Sequence, residues 1–200
     1  MAMCKVYEDC MGRMEDDGAA AIKAKEVAVL IRARLKRTFP GVKFSVRSDH
    51  DSVDIRWTDG PHPCLVEPIT NAYSFGGFDG SIDLAYGGKN WLMPDGTMAP
   101  AASEGTEGSR GSVPGYATDA PHGRALLVKF GPRYVFCQRD LSPDMLRALC
   151  EATAEKYGYT IRHDVPLADQ RIETRWHGRE YLTTLAYRLD HERAEKGAQS

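Results

Sequence analysis

The hydrophobic and polar positions of the first third of the chain change from a helical period to a strand period. From Ala19 to Thr38 the apolar residues fall on one face of a helix of 3.6 residues per turn. These residues are Val27, Leu30, Ile31 and Leu35. Pro40-Gly41 ends this pattern. From Val42 to Thr58 apolar and polar residues alternate on either side of the turn Ser48–Ser52. This stretch therefore predicts a helix followed by a β-hairpin with one buried face.

The later part of the chain predicts a second hairpin and a helix with clear end signals. Ala125–Phe130 and Tyr134–Arg139 are apolar on both faces, which favours two central strands joined by Gly131-Pro132. Ser142-Pro143-Asp144 supplies an N-cap, a proline at the first helical position and an acid in the first turn. Gly158 is the expected C-terminal stop of that helix. Two further helices are predicted, over Cys64–Tyr73 and from Gly178 to about Ala194.

The stretch between the hairpins, 87–123, is rich in glycine and proline. Asp95-Gly96 is typical of a tight turn in a small hairpin, and we expect the rest to be a flexible insertion. Residues 1–17 lack a period and are predicted to be a flexible leader, with a single domain over 18–200. The predicted fold is α+β: a two-layer sandwich with a mostly antiparallel sheet of two hairpins covered by helices.

The composition excludes several classes of protein. Hydrophobic residues make up 42% and charged residues 27% of the chain, and the net charge is -2. These values are typical of a globular protein, and not of a basic nucleic-acid coat or an acidic DNA mimic. No apolar run approaches the roughly 18 residues that span a bilayer, and the N-terminus does not resemble a signal peptide. We therefore expect a cytoplasmic protein without a membrane partner.

Motifs of known chemistry are missing from the sequence. The five cysteines form no CxxC pair, so they are expected to be buried free thiols, not zinc ligands. The chain has no phosphate-binding loop, nucleophile elbow or HExxH helix. Asp49-His50-Asp51 has the residue types of a metal or proton-shuttle site, but a solvated turn is the favoured interpretation. The prediction is a protein without catalytic residues, metal or cofactor.

Charge is distributed unevenly along the chain. Residues 18–47 hold eight bases and one acid, whereas residues 67–123 hold seven acids and two bases. A basic helix followed by a basic strand face fits the tracking of a phosphate backbone, although a solvated face balanced by the acidic stretch fits equally well. The helix lacks the interleaved aromatic residues of single-strand binding surfaces. The predicted contact surface comprises Arg32, Lys36, Lys43, Arg47, Arg56 and Trp57.

Several strings of the sequence carry a resemblance to a known family. They are FPGVKFSVRS at Phe39–Ser48, DSVDIRWTDGP at Asp51–Pro61, FDG at Phe78–Gly80 and YVFCQR at Tyr134–Arg139. These strings resemble the large polyvalent protein associated domain family, specifically its twenty-ninth member. The resemblance extends from about Ala24 to Tyr157 and is weakest in the insertion. It implies an origin in phages and conjugative elements, and it transfers no active-site residues.

The resemblance and the missing motifs lead to one expected function and two alternatives. We expect a non-catalytic phage or plasmid protein that binds a host protein or nucleoprotein complex and inhibits or modulates nucleic-acid or defence machinery. Inhibition of CRISPR is its sharpest form. The first alternative is direct binding of nucleic acid through the basic helix and hairpin. The second is a cryptic metal-dependent enzyme.

Overall fold

The computed structural model describes residues 3–106, 113–174 and 178–198. Its helices are α1 (Lys5–Cys10), α2 (Ala24–Thr38), α3 (Pro63–Thr70), α4 (Pro143–Tyr157) and α5 (Leu182–Ala198). Its strands are β1 (Ala20–Ile22), β2 (Ser45–Ser48), β3 (Ser52–Thr58), β4 (Gly76–Asp79), β5 (Leu84–Leu92), β6 (Met98–Ser103), β7 (Tyr116–Ala117), β8 (Leu126–Phe130), β9 (Tyr134–Asp140), β10 (Arg171–Thr174) and β11 (Gly178–Tyr181). The predicted α+β class is confirmed.

The chain divides into two compact units, each discontinuous in sequence. The first unit comprises Met1–Arg56 and Pro68–Cys137, and the second comprises Trp57–Glu67 and Gln138–Ser200. The predicted single domain over 18–200 stays a prediction. Within the described ranges, no helix has the length and apolar character that crossing a membrane requires.

The first unit is built around a sheet with the strand order β1-β8-β5-β6-β7, and β4 pairs with β5. β1 and β8 are parallel, whereas the other neighbouring strands of this sheet are antiparallel. Helix α2 buries the predicted apolar stripe, including Leu30, Ile31 and Leu35. On β8, Val128 and Phe130 are fully buried, as expected of a central strand.

A second sheet has the strand order β2-β3-β9. β2 and β3 form the predicted antiparallel hairpin, with Val46 opposite Ile55 and Arg47 opposite Asp54. The strands β3 and β9 begin in the first unit and end in the second.

The second unit packs α4 and α5 around the antiparallel strand pair β10–β11. Its core joins Cys150 and Ala154 of α4, Ile172 of β10 and Leu182 and Leu185 of α5. Ser142 Oγ accepts a hydrogen bond from Met145 N, and Gly158 has a left-handed φ of 62°, so both predicted ends of α4 are confirmed.

The pairing of the second predicted hairpin is wrong. β8 pairs with β1 and β5, whereas β9 is a neighbour of β3, so the two predicted strands lie in different sheets. The apolar pattern identified both strands, but the chain at Gly131-Pro132 does not fold β9 back against β8. Of the helices predicted to cover the sheet, α2 lies in the first unit and α4 in the second.

The insertion and the leader also contain regular structure. The small hairpin is confirmed, with Gly96 at a φ of 80° between β5 and β6. However, β6 and β7 add to the main sheet, and 107–112 lies outside the described residues. Helix α1 in the leader buries Val6, Tyr7 and Cys10. The last helix begins at Leu182 because Gly178–Tyr181 forms β11.

Candidate nucleic-acid interface and metal-ligating cluster

The outward face of the first hairpin is polar, as the alternation predicted. Val46, Val53 and Ile55 are buried, whereas Arg47 and Arg56 are exposed. Neighbouring strands lie about 4.8 Å apart, so these two guanidinium groups project from adjacent strands of one surface. Lys43, just before β2, is also exposed.

Helix α2 lies beside β2 within the first unit. The Arg32 guanidinium donates a hydrogen bond from Nη2 to the carbonyl oxygen of Val46. At the hairpin end, Asp49 N donates to Ser52 O at 3.0 Å. Hydrogen-bonded and non-bonded pairs alternate along an antiparallel ladder, so three residues earlier the backbone groups of Val46 point away from β3. Arg32 therefore covers an acceptor on the free edge of β2. Arg32 and Lys36 add two exposed cations on the helix that lies beside β2.

Few of these cations are neutralised by carboxylates. Arg37 of α2 pairs with Asp95 at 3.7 Å, and this pair joins the basic segment to the acidic segment. Among the described residues, none forms an ion pair with Lys36, Lys43, Arg47 or Arg56. Although Asp54 is directly opposite Arg47, the two do not pair. Local pairing thus leaves most of the predicted basic surface uncompensated.

Trp57 must be removed from the predicted surface. Its side chain is only 3% exposed, and its indole Nε1 donates to the Pro61 carbonyl at 3.0 Å. The period-two pattern already placed Trp57 on the same side as Val53 and Ile55. Its assignment as a contact residue was therefore inconsistent with that pattern.

The third strand supplies aromatic residues on the same face. Tyr134 N donates to Asp51 O at 3.3 Å, and at the far end Asp59 N donates to Asp140 O at 2.8 Å. These bonds fit a parallel register of β3 and β9 in which Asp54 is beside Phe136. Paired residues of neighbouring strands share a face. We therefore place Tyr134 and Phe136 beside the cations of the hairpin.

These two aromatic rings form an exposed stack. Tyr134 and Phe136 are each 53% exposed, and their ring centroids lie 5.8 Å apart with an interplanar angle of 10°. A groove lined by Phe75, Phe78, Arg133 and Tyr134, among others, adjoins the stack within the first unit. The aromatic character of β9 was visible in the sequence. The interpretation of β9 as a central strand concealed its exposure.

We define the basic-aromatic face as Arg32, Lys36, Lys43, Arg47, Arg56, Tyr134 and Phe136. Its rings offer stacking planes, and its cations offer charge-assisted hydrogen bonds to anionic oxygens. Arg47 and Phe136 are separated by one intervening strand, hence by about 10 Å. That spacing allows a bound chain to contact both types of group at once.

The second unit contains a separate cluster of metal-ligating residues. His62, Cys64 and His191 each offer one ligand atom, and these atoms all lie within 4.8 Å of one another. The imidazole rings of His62 and His191 are stacked, with centroids 4.9 Å apart. His62 precedes α3, Cys64 lies in the first turn of α3, and His191 lies on α5. The sequence prediction missed this cluster because His191 is far from His62 and Cys64 in the chain.

The surroundings of the cluster shift the titration of two of its members. Burial lowers the pKa of the His62 imidazole, Asp190 opposes that effect, and His191 and Arg139 lower the pKa further. Burial also raises the pKa of the Cys64 thiol, and the carboxylate of Glu195 raises it further. Glu195 Oε1 lies 3.6 Å from His191 Nε2. A carboxylate is thus close to both an imidazole and the thiol.

The other candidate residues have structural roles. Asp49, His50 and Asp51 are exposed at the hairpin tip, where Asp49 Oδ1 accepts the His50 amide at 2.8 Å. That geometry is the solvated turn favoured above. Asp79, next to the glycine-rich stretch, is buried and accepts hydrogen bonds from Ser81 and Thr106. It joins two loops of the first unit.

Fold and surfaces define an α+β protein with an exposed basic-aromatic sheet face, and its described residues show no familiar catalytic constellation. The family model described as "Large polyvalent protein associated domain 29" matches residues 22–142. The chain belongs to this family, and membership supports the expected association with mobile genetic elements. Searches of curated proteins and of solved structures gave no significant match. The matched region includes the basic-aromatic face, His62 and Cys64, and ends before His191.

Proposed function

We propose that this protein is a non-catalytic binding protein of mobile genetic elements that engages single-stranded nucleic acid through the basic-aromatic face. The observation that carries the proposal is the exposed Tyr134–Phe136 stack on the strand next to the first hairpin, whose Arg47 and Arg56 form no ion pair with any residue that the structure describes. The sequence predicted the cations alone, and the stack adds the second element that single-strand binding requires.

The chemistry of single strands fits both parts of this face. Every base has a π-face, so stacking on Tyr134 and Phe136 tolerates many sequences. Phosphate oxygens accept bidentate hydrogen bonds from arginine, which Arg47 and Arg56 can donate from adjacent strands. A duplex keeps its bases stacked and unavailable, so it would use only the cations.

A host defence or replication complex presents single strands at its working sites. Occupation of such strands would modulate the complex without any catalytic step. Direct inhibition of a defence protein, with CRISPR as one case, remains the second candidate. The same basic face supports both candidates, because acidic protein surfaces also attract cations.

The test measures binding of fluorescent single-stranded oligonucleotides by anisotropy at several salt concentrations. Substitution of Tyr134 by alanine should weaken binding by about 5- to 150-fold, since one stacked base contributes about 1–3 kcal/mol. The matched control is Tyr187→Ala, because Tyr187 is 50% exposed on α5 in the second unit. Equal effects of the two substitutions would refute the stacking role.

Charge reversal tests the cations separately. The double variant Arg47→Glu with Arg56→Glu should bind more weakly and with a shallower salt dependence. The slope of log K against log salt should fall by about 1.4, since each lost phosphate contact removes about 0.7. Arg147→Glu with Arg193→Glu changes the net charge equally on exposed positions of α4 and α5. This control should retain binding, and its failure would indicate a net-charge effect.

Recovery of partners from host lysate separates the two candidates. Partners that are lost after nuclease treatment support nucleic-acid binding. A stable protein partner that survives nuclease, together with absent oligonucleotide binding, supports the inhibitor and contradicts our proposal.

A further inference from the structure

The donor set around His62 is chemically selective. Two imidazole nitrogens and one thiol lie within 4.8 Å of one another, and the Glu195 carboxylate is 3.6 Å from the His191 ring. Nitrogen and sulfur donors suit zinc-class cations, whereas magnesium and calcium require sites made of oxygen. We propose that His62, Cys64 and His191, with Glu195 as fourth donor, bind a tetrahedral divalent cation of the zinc class.

Helix α5 and the chain at the start of α3 already bring these donors close together. His191 and Glu195 are four residues apart on α5, and therefore lie on the same face of that helix. His62 and Cys64 are two residues apart at the start of α3. All four belong to the second unit. A cation here would cross-link α5 to the first turn of α3.

A capping role explains only one of these residues. Cys64 N donates to His62 Nδ1 at 3.2 Å, so the imidazole caps a free amide at the start of α3. This bond requires neither the thiol, nor His191, nor Glu195. Among the described residues, the Cys64 sulfur makes no hydrogen bond to another residue. The convergence of the donors is therefore not accounted for by capping.

Metal binding demands a small rearrangement. A tetrahedral zinc ion with bonds of about 2.0–2.3 Å holds its ligand atoms about 3.5 Å apart. The donor atoms of His62, Cys64 and His191 must therefore approach by about 1 Å. Glu195, 3.6 Å from the His191 ring, must turn towards them. The side chains of His191 and Glu195 are about half exposed, which leaves them room to turn. The imidazole stack must open. The bond from Cys64 N to His62 Nδ1 must break as well. If Nδ1 binds the metal, its lone pair is used for coordination; if Nε2 binds the metal, Nδ1 carries the hydrogen and cannot accept.

The experiment titrates the full chain with Co²⁺ and with Zn²⁺ under reducing conditions. We expect one Co²⁺ per chain, with a thiolate-to-cobalt charge-transfer band and the intense visible bands of tetrahedral cobalt. Cys64→Ser should abolish the charge-transfer band, and His191→Ala should weaken binding at least tenfold. The control Cys4→Ser removes another partly exposed thiol, in the first unit, and should change nothing.

Two measurements on the unsubstituted protein guard against variants that fail to fold. Zn²⁺ should slow alkylation of Cys64, located by mass spectrometry, and leave the rate at Cys4 unchanged. The amide resonance of Cys64 should shift when Zn²⁺ binds, because its hydrogen bond is lost. A missing thiolate band, or a band that survives in Cys64→Ser, would overturn the proposal. A thiolate band that requires Cys64 but is unchanged when His62 or His191 is substituted would also overturn the proposal, since it would indicate binding by a single cysteine.

Discussion

The ion pair between Arg139 and Asp190 offers the sharpest test of what holds the second unit together. The Arg139 side chain is 6% exposed and the Asp190 side chain 18%, and Nη1 lies 2.5 Å from Oδ2. Arg139 Nε also donates to the carbonyl of Asp59 at 3.2 Å. Asp59 Oδ1 in turn accepts the amide of Ser142, the N-cap of α4. The guanidinium thus joins α5 to the segment that starts α4.

Substitution of Arg139 by methionine keeps an apolar stem of similar length and removes the charge. Asp190 is then left largely buried without a cation, and the Asp59 carbonyl loses its donor. Breaking one side of a buried pair costs about 3–5 kcal/mol, a large part of the roughly 5–15 kcal/mol that stabilises an ordinary domain. Replacing both partners, Arg139→Met with Asp190→Leu, should recover most of that loss, because neither charge remains buried.

Urea unfolding at neutral pH, followed by circular dichroism, measures these losses. Lys156→Met is the matched control, because Lys156 of α4 pairs with Glu192 of α5 at 3.9 Å and the two side chains are 51% and 45% exposed. Solvent screens such a pair, so its removal should change stability little. Equal destabilisation by Arg139→Met and Lys156→Met, or a double variant as unstable as Arg139→Met, would contradict a stabilising role of the buried pair.

Two further predictions concern the first unit. Gly105 has a φ of 62°, and an added Cβ would lie 2.3 Å from the backbone nitrogen of Gly115, so Gly105→Ala should destabilise the fold by clearly more than about 1 kcal/mol. Gly41→Ala, at a φ of 91° in open space, should cost only that conformational strain, and comparison of their urea midpoints checks the difference. Hydrogen bonds from Ser81, then from Thr106, lower the pKa of Asp79 to about 2. Because the folded state holds this carboxylate ionised, it contributes stability above about pH 4 that is lost as the pH falls towards 2. Asp79→Asn should therefore flatten the acid limb of stability against pH, and an unchanged limb would contradict this assignment.

The sequence by itself determined the elements whose signals are local. Periodicity identified the first hairpin and the helix predicted over Ala19–Thr38, because a buried face repeats at the period of the backbone that carries it. In the structure that helix begins at Ala24, since Ala20–Ile22 forms β1. The ends of α4 follow from Ser142 and Gly158, whose capping conformations are properties of single residues. The exposure of Arg47 and Arg56 follows from the same alternation that buries Val53 and Ile55.

Strand pairing was decided only by the tertiary structure. β8 and β9 are consecutive and apolar, yet β8 lies between β1 and β5 while β9 joins β3. The neighbour with which a strand pairs depends on contacts between residues distant in sequence. The alternation of apolar and polar residues within one strand does not indicate those contacts. The part of β6 after Met98 was missed for a related reason: its small residues, Ala99 to Ala102, form a strand because β5 and β7 flank it.

Both candidate sites combine a local signal with a distant one. The cations of the first hairpin were predicted, whereas their proximity to Tyr134 and Phe136 depends on β9 pairing with β3. His62 and Cys64 are close in sequence, but only the packing of α5 brings His191 to them. The chemistry of a side chain is determined by its identity, and a site requires side chains to converge. That convergence is produced by long-range packing, which the order of residues specifies only through the complete fold.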